Sequence, residues 1–181
     1  MGRIFGHFPA VIAFIGLMVA VYFLAPWQAA DSYGLVPRSE DHLIGIVGMH
    51  FLHGNIAHLT GNLTALAPLA LLLAATHKSP WIAMAILIVL SGALLWFFGR
   101  PFSGPHIGAS ALVAALVGYL VARGVNLMTA GTIAVAVLVF SLYGISTLLG
   151  VDPALGEAGI SWEGHLAGVV AGVVYGTFDE G

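Results

Sequence analysis

The run Pro80–Phe98 carries 19 residues without a single charged side chain, and five further apolar runs accompany it along the chain. About 20 apolar residues at 1.5 Å rise are what an α-helix needs to cross a hydrocarbon layer about 30 Å thick. The rest of the chain offers no alternative to a membrane. Of its 181 residues, 60% are hydrophobic and 7% charged, with mean hydropathy +1.02. A soluble domain carries about 25% charged residues, so a water-facing surface cannot be assembled here. These figures exclude an ordinary cytosolic enzyme and a disordered tail, and the absence of cysteine excludes a disulfide-stapled secreted module. Five Lys+Arg residues cannot form a phosphate-tracking patch, so no nucleic acid is expected as a partner. The fold class is all-α: a compact, polytopic six-helix membrane protein, expected as a single domain over residues 1–181.

The expected spans are Phe8–Leu24, Ile56–Ala75, Pro80–Phe98, Ser110–Ala122, Thr129–Leu149 and His165–Phe178. The first shares a basic start and a short apolar core with signal peptides, but no small-x-small cleavage site follows it. Residues 25–57 form a mixed loop. Within it Leu43–Leu52 is apolar but too short to span, which suits an in-plane or re-entrant segment. With the N-terminus inside, Arg3, Lys78 and Arg123 are cytoplasmic while Arg38 and Arg100 are outside. This weak positive-inside bias favours cytoplasmic N- and C-termini. Compactness and the lack of a transit peptide point to a plasma or bacterial-type inner membrane.

The fourth and sixth spans are short, at 13 and 14 residues. Each would rise about 20 Å, so both are expected to begin below the outer surface at matching depth. The preceding segment, Phe102–Ala109, would then be irregular backbone at membrane depth, tolerated only in protein or beside a wet cavity. That predicts a water-filled pocket in which Ser110 and His165 each begin a helix. Ser110, Ala114 and Gly118 recur at fours, as do Gly164, Gly168, Gly172 and Gly176. Such small-residue ridges let helix backbones approach closely in lipid.

A serine hydroxyl becomes nucleophilic when a neighbouring base takes its proton, and imidazole titrates near neutral pH. Ser110 and His165 are therefore read as a catalytic dyad. Glu163 lies near them in sequence but has no evident claim to be a third member. His58 and Asn62, four residues apart on one face of the second span, supply side-chain donors for an oxyanion. The backbone N–H of Ser110 at a helix start adds a third. Ser110 alone would read as a helix N-cap, Asn62 as an interhelical hydrogen bond, and His58 as an interface histidine. His42, His50, His53 and His106 crowd the same side, but they lack the arrangement of membrane zinc proteases, and no metal is expected.

In His53-Gly54-Asn55-Ile56-Ala57-His58-Leu59-Thr60-Gly61-Asn62, Gly108-Ala109-Ser110 and Gly164-His165-Leu166-Ala167-Gly168, the chain resembles the rhomboid family of intramembrane serine proteases. The ordered set carries the likeness, over roughly residues 8–178. The resemblance implies a six-helix core with cytoplasmic termini, Ser110 as nucleophile and His165 as base, and His58 and Asn62 at the oxyanion. It also implies no cofactor. Its substrates would be single-pass or polytopic transmembrane proteins in the bilayer, admitted laterally past the second and fifth spans and cut near small residues. Three positions depart from the family pattern. Ala111 replaces the usual glycine, Ala114 replaces an aromatic that stacks on the histidine, and the Trp-Arg pair of the first loop is absent.

The expected function is thus a membrane-embedded serine endopeptidase. The Ala111 and Ala114 departures motivate a different class, a non-catalytic rhomboid-like protein that binds transmembrane helices. A transporter or channel would need charged residues mid-span, and none is seen.

Overall fold

The computed structural model describes residues 2–26, 28–100, 104–149 and 162–180, with backbone only for residues 2–5, 148 and 149. Nine α-helices are found among them. These are α1 (Gly2–Leu24), α2 (Ala29–Tyr33), α3 (Gly45–Gly48), α4 (Ile56–Thr76), α5 (Pro80–Phe98), α6 (Ser110–Leu127), α7 (Ala130–Val139), α8 (Ile145–Leu149) and α9 (Trp162–Phe178). A π-helical turn, Phe140–Gly144, joins α7 to α8, so the expected fifth span is one rod with a local widening. Among the described residues, five helical segments are long and apolar enough to cross a membrane, and α9 makes a sixth rod of 17 residues. The architecture is an all-α polytopic bundle.

The helix ends follow local chemistry. Asn55 caps α4 by accepting the His58 N–H at 2.7 Å through its side chain. Pro80 opens α5, where its missing N–H costs nothing. Within α4, the hydroxyls of Thr60, Thr64 and Thr76 donate to carbonyls one turn back, which satisfies them in an apolar setting. Thr129 and Thr132 form a reciprocal capping box at the start of α7.

α6 is the central rod: 61% of its apolar window is buried, against 11% for α1 and 17% for the rod through α7 and α8. Leu66, Leu69 and Leu73 of α4, Leu87 of α5, and Leu112, Leu116 and Tyr119 of α6 form its core.

Two expectations about span length are corrected. α6 has 18 residues rather than 13 and α9 has 17 rather than 14, rises of about 27 and 26 Å. Arg123 does not end α6, because its guanidinium is paired with Asp179 and only 6% exposed. The helix continues to Met128, whose left-handed backbone (φ 51°) closes it. At the other rod, Glu163 lies in the first turn of α9, where a carboxylate suits the helix dipole. Shortness therefore does not place the two helix starts at one depth. Ser110 opens α6, whereas His165 is the fourth residue of α9.

Residues 40–51 form short helical turns, including α3, rather than a continuous helix. This loop is anchored without the family's usual Trp-Arg pair. Arg38 donates through Nη1 to the Gly99 carbonyl at 2.9 Å, and its own N–H donates to the Trp96 carbonyl at 3.0 Å. Trp96 returns the link, donating its indole N–H to the Ser39 carbonyl at 3.0 Å. Leu35 and His106 exchange both backbone hydrogen bonds, at 3.0 and 2.7 Å, tying the loop to the segment that enters α6.

Candidate active site

α6 and α9 are parallel neighbours in backbone contact. A Cβ added at Gly168 would meet the Ala111 carbonyl and Ala114 Cβ; one at Gly172 would meet the Ala115 carbonyl and Tyr119 N; one at Gly176 would meet the Tyr119 carbonyl and Ala122 Cβ. The partners advance together, so the rods run in one direction with a fixed offset. Of the two four-residue ridges read from the sequence, Ala114 and Gly118 on α6 and Gly168, Gly172 and Gly176 on α9 lie in this contact. Ser110 shares its helical face with Ala114, and His165 shares its own with Gly168. Because Ala114 opposes Gly168, one turn earlier on each rod carries Ser110 toward the turn holding Gly164 and His165. Both residues are half-buried.

The segment before α6 is irregular over residues 104–109; Phe102 and Ser103 lie outside the described residues. Its last turn is held by the Gly108 N–H, which donates to the Met49 carbonyl at 2.8 Å. Gly108 has φ +113°, a backbone that side-chain-bearing residues rarely adopt. A Cβ there would also collide with the His58 ring and lie 3.4 Å from Asn62 Nδ2. Glycine at 108 thus brings the backbone entering Ser110 directly onto His58 and Asn62, which come from α4. Asn62 is 8% exposed, and its Nδ2 has no hydrogen-bond partner among the described residues. A buried amide donor without an acceptor carries a desolvation cost of about 1–3 kcal/mol. Such a cost is tolerated where a ligand oxygen is to be received. Ser110 is the first helical residue of α6 and Ala109 supplies no side-chain cap, so the first-turn N–H groups of α6 point toward the same region.

Glu163 is engaged elsewhere, its carboxylate accepting from Arg100 Nε at 2.6 Å, and Arg100 also lies over the Trp162 ring at 5.4 Å. No role as a third catalytic member follows. Other histidines surround the site. His50, fully buried, donates through Nε2 to the Ile88 carbonyl at 3.1 Å. Burial pushes its imidazole from 6.5 down to about 4, so it is neutral at physiological pH. The His53 ring meets His58 edge-on at 5.1 Å, and burial, with the His58 charge second, lowers it to about 4 as well. His106 is also lowered, chiefly by burial. His42 contacts Ser39 Oγ and the Asp31 carbonyl. Among the described residues no three potential ligands of the His, Cys, Asp or Glu type come together. The loop anchors Arg38 and Trp96 were missed from sequence; only an Arg in the loop and a Trp near a helix end could have signalled them.

The fold and this site define a polytopic helical membrane protein in which a serine-bearing and a histidine-bearing rod pack along glycine ridges. Residues 40–179 match the Rhomboid domain. An uncharacterised protein of Mycobacterium tuberculosis is 35% identical over 173 residues, covering 91% of this chain and 71% of the relative. One of Mycobacterium leprae, also uncharacterised, is 31% identical over 172 residues, covering 91% and 68%. The chain belongs to the rhomboid family.

Proposed function

We propose that the protein is an intramembrane serine endopeptidase that hydrolyses peptide bonds in or near transmembrane helices of membrane-protein substrates. The Ser110 hydroxyl attacks the scissile carbonyl carbon while His165 takes its proton. The carbonyl oxygen, now an anion, accepts hydrogen bonds from Asn62 Nδ2, the His58 ring and the Ser110 N–H. As the C–N bond breaks, His165 returns the proton to the leaving amine. Water, deprotonated by His165, then cleaves the acyl-enzyme and frees Ser110.

One observation carries this reading: a buried, unsatisfied amide donor on Asn62, held against Gly108 two residues before the serine. An oxyanion formed beside Gly108 would supply the acceptor that this donor lacks. The substrate helix enters from the bilayer between α4 and the α7–α8 rod, which is mostly lipid-exposed. The N- and C-termini are cytoplasmic, in a plasma or inner membrane. In reconstituted vesicles the wild type should cut a single-pass reporter and Ser110→Ala should not; persistent cutting by purified Ser110→Ala would overturn the assignment.

Ala114, whose Cβ lies against Gly168 where the family often has an aromatic, favours a second reading. In it the protein binds transmembrane helices without cutting them. A serine-directed fluorophosphonate discriminates. Labelling of the wild type, lost in Ser110→Ala and His165→Ala, supports the protease; no labelling of any form supports the binder.

A further inference from the structure

At the end of the bundle remote from Ser110, three side chains from two parts of the chain converge on one carboxylate. Asp179 follows α9 directly, and its Oδ2 accepts from the Tyr119 hydroxyl at 2.6 Å and from Arg123 Nε at 3.0 Å. His77 Nε2, from the connection between α4 and α5, lies 3.1 Å from the same oxygen. His77, Arg123 and Asp179 are 5%, 6% and 11% exposed. The Tyr119 ring stacks on Tyr175 of α9, centroids 5.2 Å apart. Along the α6–α9 ridge the glycines Gly168, Gly172 and Gly176 meet backbone and alanine methyls. Sliding α9 by one turn toward the Ser110 end would set Gly172 on Ala111 and Ala114, and Gly176 on the Ala115 carbonyl and Tyr119 N. Glycine would again meet backbone and small side chains. In lipid no hydrophobic force separates such registers, and van der Waals packing between smooth ridges discriminates weakly. The slip would move His165 about 5.4 Å past Ser110. It would also carry Asp179 off Tyr119 and Arg123, stranding their buried donors. A single polar position fixing helix register at some cost in stability is well attested in coiled coils.

We propose that Asp179 is a positioning residue that selects the axial register of α9 against α6 through Tyr119, Arg123 and His77, and thereby sets how Ser110 and His165 meet. This rests on the protease reading above, with the selecting group 14 residues beyond His165 in the chain, just past the end of α9, and touching neither substrate nor reacting atoms.

The test measures kcat and KM on a reporter substrate together with the rate of fluorophosphonate labelling of Ser110. The full chain is used in detergent, with folding followed by circular dichroism. Asp179→Ala should lose at least about 10²-fold in kcat and in labelling rate, since an ångström-level misplacement already costs that much, while KM changes less than about twofold. Asp179→Asn keeps an acceptor for Tyr119 and should recover part of the loss. Tyr119→Phe keeps the ring stacked on Tyr175 and should lose about tenfold by the same effect. If Asp179→Ala fails to fold, Tyr119→Phe decides alone. Wild-type labelling rate and kcat in folded Asp179→Ala or in Tyr119→Phe would overturn the proposal, as would losses confined to KM. A wild type that neither labels nor cuts would instead remove the protease reading, and this proposal with it.

Discussion

Gly172→Ala is the sharpest probe of the packed pair that carries the candidate dyad. The added Cβ would lie 2.6 Å from Tyr119 N and closer still to the Ala115 carbonyl, whereas ordinary contact begins near 3.4 Å. Both obstructing atoms are backbone, so no side chain can swing away. The rods must part by about 1 Å, and misplacement on that scale costs roughly 10²-fold in rate, equivalent to about 2.7 kcal/mol of barrier. Overpacking itself should cost about 1–3 kcal/mol of stability. Reporter cleavage in proteoliposomes gives kcat and KM, and thermal unfolding in detergent gives the stability change. Gly16→Ala is the control, because nothing lies within 4 Å of its added Cβ. Alanine there should be neutral or stabilising by up to about 1 kcal/mol. Wild-type kcat in Gly172→Ala would refute the claim that backbone contact along this ridge governs the site.

Two further outcomes are expected. Asn62→Ala should lower kcat by about 10²–10³ with little change in KM, as for loss of one oxyanion donor; a loss confined to KM would count against Asn62 as a donor to the oxyanion. Burial holds His50 and His53 near pKa 4, against 6.5 when exposed. The unfolded chain therefore binds protons that the folded chain refuses between those values. Stability should be complete above pH 6.5 and fall as pH drops from 6.5 toward 4. Melting curves across that range should show the decline, and His50→Asn, which does not titrate, should flatten it; an equally steep profile in that variant would exclude His50 as a source.

Much of this was legible in the sequence because lipid makes secondary structure a local decision. The Pro80–Phe98 run became α5 with those same limits, since an apolar, uncharged stretch in hydrocarbon has only its own backbone to bond with. The ridges Ser110-Ala114-Gly118 and Gly164-Gly168-Gly172-Gly176 were equally visible, because helical periodicity fixes which residues share a face. The approach of His58 and Asn62 to the entry of α6 was anticipated in kind, while the glycine that permits it, Gly108 at φ +113°, was not singled out.

The true ends of α6 and α9 were set elsewhere. Arg123 looked like a boundary because a lone charge in an apolar helix is costly, yet Asp179, 56 residues away, neutralises it and the helix runs on. The loop lacking its family anchor is held by Arg38 and Trp96, 57–61 residues from their carbonyl partners. Apolar patterning thus determined which segments are rods and which faces are smooth. Only the tertiary structure decided where polar groups find partners, because a buried hydrogen bond or ion pair depends on distance in space and leaves no period in the chain.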